Sequence, residues 1–373
     1  MVTTQKIIER AMEYRGSKSV LYTVKEQRVD GSWQGDERPC LRYTLMDFER
    51  NYQLRVLSNP RSRHIHTKST SIPLQTLTPF FVTGITDAEG CFSVGISKHK
   101  QLRTGWCVKP VFSITLHERD EALLKQLLSF FGKGGIFRHG PTTLQVRFES
   151  KNALWAVVKH FDKYPLISQK QADYLLWKKA VELFSDKEHL TLAGLFEVVA
   201  LRASINWGLP PRLRKAFPLI ASKIRPEVKK PVVPNPEWMA GFISGEGCFI
   251  VEILENKEMR LGYSVKIKFN IPQHKRDIIL LQVLNEYLGG GGNFHQAKNR
   301  DVMEFRFQDF SIIDEQIVPF IRSFPIQGMK IHDFNDWCQA IDIVRRKGHL
   351  TPEGLAEIQK LEEGMNTGRK EKK

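Results

Sequence analysis

One block of this chain is written twice. Thr78-Pro79-Phe80-Phe81-Val82-Thr83-Gly84-Ile85-Thr86-Asp87-Ala88-Glu89-Gly90-Cys91-Phe92 returns as Asn235-Pro236-Glu237-Trp238-Met239-Ala240-Gly241-Phe242-Ile243-Ser244-Gly245-Glu246-Gly247-Cys248-Phe249. Each copy opens with an N-cap Thr or Asn and a Pro suited to the first helical position. Each also stops at a Gly, so the pattern predicts one short helix per copy, closed by a left-handed turn at Gly90 or Gly247. Inside the helices, Gly84 with Ala88 and Gly241 with Gly245 stand one turn apart. An interior Gly costs roughly 1 kcal/mol relative to Ala, and close contact between two helix backbones would offset it, since small residues four apart form a flat strip. A Gly-rich turn would explain one copy, but not a second copy in the same register.

The duplication continues past the helices. Phe92, Val94 and Ile96 alternate along a first strand, as do Phe249, Val251 and Ile253 in the second copy. Phe112-Ser113-Ile114-Thr115-Leu116-His117 matches Phe269-Asn270-Ile271-Pro272-Gln273-His274 as a second strand. Helical stretches (120–131; 277–288), glycine loops (132–135; 289–292) and further strands (144–148; 303–307) follow, and even Lys187-Glu188-His189-Leu190-Thr191 returns as Lys347-Gly348-His349-Leu350-Thr351. A duplicated unit that mixes the two periodicities predicts an α+β fold with two pseudo-symmetric halves.

Each helix ends in a carboxylate, Glu89 or Glu246, at the end where the macrodipole is already negative. A single acid there is commonly solvated. Two acids at equivalent ends of paired helices would repel or take up a proton unless cations sit between them, which points to a divalent-metal site.

At these residues the chain resembles the LAGLIDADG homing endonucleases in their single-chain, two-repeat form. Val82 to Gly90 and Met239 to Gly247 fill the nine positions of the motif, with Glu in the penultimate place, and the resemblance runs over roughly residues 78 to 357. It implies two repeats of αββαββα type, each with an antiparallel DNA-binding sheet, packed through the motif helices. It also implies site-specific cleavage of both strands of DNA in the service of an intron. Glu89 and Glu246 would then be metal ligands, nominally one per strand. Mg²⁺ (or Mn²⁺) fits them, because it is held by a few carboxylates together with phosphates and water. Lys170 and Lys330 occupy matching places where the family carries basic residues near the site, and would stabilise charge in the transition state or hold the attacking water; either also reads as a surface Lys opening a helix. Gln273 stands where the family often has a polar, water-organising residue. The first repeat has Leu116 there, beside His117, which argues against identical roles for the two halves.

Composition bounds the partner. Fifty-six Lys and Arg against 41 Asp and Glu give a net charge of +15 and a pI near 9.5, favouring a polyanion. Arg103, Lys109, Arg147, Lys266, Lys268 and Arg306 are expected on the polar strand faces, where a twisted strand pair entering the major groove would present them to bases and phosphates. Any one alone reads as a solvated charge; the stripe as a whole points to double-stranded DNA. Two alternatives remain on the same fold: a maturase gripping intron RNA, which leaves no short motif, and a DNA-binding protein that does not cut, against which the two intact glutamates speak.

The expected division is a leader (1–75), a first repeat (76–206), a basic linker (207–234) with Pro and Arg/Lys throughout, a second repeat (235–360) and a charged, disordered tail (361–373). Val24 to Trp33 and Leu41 to Gln53 are similar to leaders of intron-encoded reading frames in fungal mitochondria, which implies a mitochondrial setting; the segment itself shows no chemistry. Five cysteines without a C-x-x-C pair favour neither a disulfide framework nor a zinc site. No apolar run is long enough to span a membrane, so the chain reads as soluble, and as a monomer because both halves lie in one polypeptide. The charge carries a prediction: affinity for duplex DNA should fall by orders of magnitude between roughly 50 and 200 mM salt as counterions are released. A titration that stays flat over that range would contradict the polyanion reading.

Overall fold

The structure, a computed structural model, describes residues 77–296 and 300–366, so the leader lies outside it. Helix α1 (Pro79–Glu89) starts where the sequence places it: the Thr78 hydroxyl accepts from Phe81 N, and Pro79 fills the first helical position. Strands β1 (Gly90–Lys98) and β2 (Trp106–His117), helix α2 (Glu121–Phe131), strands β3 (Gly135–Arg138) and β4 (Thr143–Phe148), and helices α3 (Lys151–Lys163), α4 (Lys170–Ser185), α5 (Leu192–Ser204) and α6 (Pro211–Ala216) follow. The second unit repeats the order: α7 (Pro236–Glu246), β5 (Cys248–Glu255), β6 (Tyr263–His274), α8 (Ile278–Tyr287), β7 (Asn293–Gln296), β8 (Val302–Phe307), α9 (Val318–Ser323), α10 (Lys330–Arg345) and α11 (Pro352–Gly364). Both sheets are antiparallel, in the orders β1-β2-β4-β3 and β5-β6-β8-β7.

The alternation fixes one face of each sheet against its helices. Phe92, Val94, Ile96, Phe112, Ile114 and Phe148 are buried in the first core, packed with Trp177 of α4. Phe249, Phe269, Ile271, Phe305 and Phe307 do the same in the second with Trp337 of α10. The small-residue strip joins the halves. A Cβ placed on Gly84 would lie 1.9 Å from Trp238 O, and one on Gly241 2.2 Å from Phe81 O. One on Gly245 would meet the Ala88 Cβ at 2.3 Å. Backbone therefore lies directly on backbone along α1 and α7.

Several expectations are corrected. Gly90 (φ −75°) and Gly247 (φ −61°) are extended, not left-handed. Glycine is required there because the chain turns straight from helix into strand, and a Cβ would lie 2.4 Å from Thr86 Cγ2 or 2.6 Å from Ile243 Cγ2. The glycine loops lead at once into β3 and β7, short edge strands without a clear alternating signal. The basic segment from 207 also packs against the first repeat: Leu209, Leu213 and Phe217 are buried in the first core, and further on Arg225 binds Asp173 at 2.6 Å. Nor does the chain detach at 361. α11 runs to Gly364, Met365 is buried and Asn366 donates to Phe249 O at 3.0 Å, as Asn206 does to Phe92 O in the first unit. Of the expected tail, 367–373 lie outside the described residues. Cys91, Cys107 and Cys338 are free thiols.

Because neither helix can retreat from the other's carbonyls, Gly241→Ala should destabilise the protein by about 3 kcal/mol or more. Denaturant unfolding measures this, and a loss below about 1 kcal/mol would mean that the helices are not in backbone contact.

Candidate active site

The last carbonyls of a helix have no partner within it and carry the negative end of its dipole. At the end of α1, Lys170 Nζ donates to Thr86 O and Ala88 O, both at 3.0 Å. At the end of α7, Lys330 Nζ donates to Ile243 O at 3.3 Å and Gly245 O at 2.6 Å. Each lysine is the first residue of its helix, α4 or α10, and each cation sits at the helix terminus that carries the glutamate. Both lysines open helices, and opening the helix aims each side chain at the end of the motif helix.

The acids come together because the motif helices do. A Cβ on Gly245 would stand 3.1 Å from Glu89 Cγ, so the Glu89 side chain lies against the end of the opposite helix. Glu246 is buried to 1 % exposure while Glu89 is partly open to solvent. Burial lowers the Lys170 pKa from its ordinary value, opposed by the negative charges of Asp87, Glu246 and Glu89. Glu246 thus acts on Lys170 from across the repeat boundary, beside Glu89 of the same repeat.

Asp87, inside the first motif, is a residue that sequence reasoning passed over. Its buried carboxylate accepts from Ile167 N (3.1 Å), Ser168 N (3.1 Å), Ser168 Oγ (2.6 Å) and Trp238 Nε1 (2.9 Å). Burial raises its pKa and these four donors pull it down. It ties α1 to the loop that delivers Lys170 and to α7. Ser244 has the corresponding place in α7 and accepts from Gln327 N at 3.0 Å. Asp120 and Asp277 were likewise missed; Asp277 Oδ1 accepts from Gln169 N at 2.7 Å and Asp120 Oδ1 from Met329 N at 2.6 Å. Their signal was present in the duplication, as His117-Glu118-Arg119-Asp120 and His274-Lys275-Arg276-Asp277.

Gln273 lies near the end of β6, half-buried opposite Met303, and its pleat parity is that of Phe269 and Ile271. Lys109, Arg147, Lys266, Lys268 and Arg306 stand on the sheet faces turned away from the cores. Arg103 does not: it lies in the turn between β1 and β2, exposed, because β1 ends at Lys98. Three of the strand cations hold acids, Arg147 with Glu149 (2.8 Å), Lys268 with Glu252 (2.6 Å) and Arg306 with Glu304 (2.9 Å). The Arg147 guanidinium also sits 5.9 Å from the ring centroid of Phe137, itself 52 % exposed.

Among the described residues no group of three or more His, Cys, Asp or Glu could enclose a metal. Two glutamates instead suit an ion that completes its shell with phosphate and water oxygens, as Mg²⁺ does. No helix among the described residues is long and apolar enough to cross a membrane.

The sequence matches the LAGLIDADG endonuclease family over residues 82–181 and 239–341, spans that contain both motif glutamates and both lysines. The chain belongs to that family. Probable intron-encoded endonuclease 3 of Neurospora crassa is 34% identical, with the alignment covering 96% of this chain and 71% of the relative. Among solved structures, the I-SmaMI LAGLIDADG homing endonuclease bound to cleaved DNA superposes with a TM-score of 0.77 at 42% identity, over 79% of this chain and 98% of that one. I-SmaMI is also known on an uncleaved DNA target in the presence of calcium ions, at 41% identity and a TM-score of 0.76, over 78% of this chain and 99% of that one. The LAGLIDADG meganuclease I-CpaMI bound to uncleaved DNA gives 0.75 at 37% identity, over 78% and 99%. This LAGLIDADG protein is a site-specific DNA endonuclease of the intron-encoded kind.

Proposed function

We propose that the chain, as a monomer, cuts both strands of a long duplex target with Mg²⁺ (Mn²⁺ serving in its place). The observation that carries this reading is the convergence of Glu89 and Glu246 at the paired ends of α1 and α7, each beside a lysine that caps the same helix end. Glu89 and Glu246 would hold the divalent ion, which when bound supplies Lewis acidity and a water of lowered pKa. Lys170 and Lys330 keep positive charge beside the glutamates and are placed to stabilise charge developing on the phosphate. Gln273 serves the second half alone as a polar group for ordering water, since Leu116 has the matching place in the first.

The sheet faces turned away from the cores would lie along the major groove. Lys109 and Lys266, both exposed, are placed for phosphates, while Arg147, Lys268 and Arg306, oriented by their acids, are placed for base edges. Arg103, at a strand-connecting turn, would reach the backbone at the flank of the site. The fungal relative and the leader-like segment support a mitochondrial setting.

Glu89→Gln and Glu246→Gln keep size and hydrogen bonding but remove the charge that holds metal. Each variant should bind the target with an affinity within about threefold of wild type while cutting at least one strand about 100-fold more slowly. End-labelled duplex with Mg²⁺ reads both quantities. Unchanged cutting by both variants would remove the glutamates from the mechanism. If the wild-type protein cuts no DNA and instead promotes splicing of its intron RNA whichever glutamate is changed, the maturase reading replaces this one.

A further inference from the structure

Each lysine sits at the first position of a helix whose N-cap side chain does not cap it. The N-cap residues of α4 and α10 are Gln169 and Met329, and neither makes a side-chain cap of its own. The backbone N–H of each N-cap residue itself is taken by an acceptor from the opposite repeat. Asp277, next to the start of α8 in the second repeat, takes Gln169 N at 2.7 Å, and Asp120, next to the start of α2 in the first repeat, takes Met329 N at 2.6 Å. Both aspartates are at least nine-tenths buried. A carboxylate at a helix N-terminus also meets the positive end of the dipole.

The surroundings are shaped around this exchange. Gly328 (φ +80°) precedes Met329, and a Cβ there would stand 2.5 Å from Asp120 Oδ1, so only glycine admits the aspartate. In the first repeat Ser168 holds the corresponding place and accepts from Lys170 N at 3.2 Å. Within each repeat the motif helix secures the preceding residues, Asp87 holding 167 and 168 and Ser244 holding 327. The residue directly before each lysine is secured only from across the repeat boundary on its N–H side. A third group joins on one side: Arg225, after the first core, donates to Gln169 O at 2.8 Å.

We propose that Asp277 and Asp120 are positioning residues exchanged between the repeats, each setting the lysine of the other half, so that neither repeat holds a complete cleavage site alone. The inference rests on the reading of Lys170 and Lys330 as active-site groups. It adds that disturbance of one repeat should appear as slow cutting at the other repeat's lysine. A shift of about 1 Å in a positioned group costs up to about 100-fold in rate, whereas a bond that only holds the halves together would affect both strands alike.

The test uses full-length protein and the duplex that the wild type selects from a randomised library, each strand end-labelled, with single-turnover rates measured separately for the two strands. Lys170→Met and Lys330→Met first identify the strand that each lysine serves. Asp277→Ala should then slow the Lys170 strand about tenfold and leave the other within about twofold, and Asp120→Ala should do the same to the Lys330 strand. Asp277→Asn and Asp120→Asn retain an acceptor oxygen and should restore most of the rate. Target binding in Ca²⁺ should be unchanged in every variant. If an alanine variant does not fold, Asp277→Ser or Asp120→Ser replaces it, because the shorter hydroxyl cannot span the distance. Equal slowing of both strands, slowing of the strand served by the lysine in the same repeat, or no slowing at all would overturn the exchange. If the lysine variants themselves cut both strands at the wild-type rate, the reading of the lysines fails and the exchange fails with it, a result distinct from a silent aspartate beside an essential lysine.

Discussion

The backbone contact between α1 and α7 is the constraint on which everything else depends. Gly84 faces the Trp238 carbonyl and Gly241 the Phe81 carbonyl, at separations that admit no side chain. Helices this close have their ends almost in register, and a carboxylate at each end is forced toward the other. The same contact fixes how the two sheets lie relative to one another, because each strand β1 and β5 leaves its helix through a single glycine with no intervening loop. Helix contact, acid pair and sheet placement are therefore one geometric decision.

Charge at that junction is balanced in layers. The helix ends are negative by their carbonyls and again by Glu89 and Glu246, and the two lysines meet the carbonyls directly. Burial disfavours the charged form of Lys170, and the neighbouring carboxylates oppose that effect. Behind them, Asp87, Asp120 and Asp277 accept from the backbone that carries the lysines. The halves are not equivalent: Asp87 against Ser244, Leu116 against Gln273, and a buried Glu246 against a more open Glu89 give two related but different sites.

Much of this was legible in the chain because duplication tests itself. Thr78-Pro79 and Asn235-Pro236 announced the helices, the alternation at Phe92, Val94 and Ile96 announced the strand face, and the small residues in register announced the helix contact. What stayed hidden depended on partners distant in sequence. The buried place of Asp87 follows from Trp238 and Ser168, and the capping by Asp120 and Asp277 follows from a crossing of repeats that no local pattern encodes. Local pattern also misled where Gly90 and Gly247 suggested a left-handed turn, although the real demand was room beside Thr86 and Ile243. It misled at Arg103 too, because the end of β1 at Lys98 left that residue in a turn. The Pro-rich composition after 207 concealed Leu213 and Phe217, which close the first core.

By this reading the paired helix ends would form one metal-holding edge shared by the two halves. The most direct measurement is anomalous scattering from Mn²⁺ in crystals of the full-length protein with its target duplex. Manganese is expected in contact with the carboxylates of both Glu89 and Glu246 and with phosphate oxygens of the DNA. Manganese bound to the DNA with either glutamate outside its coordination shell would contradict it.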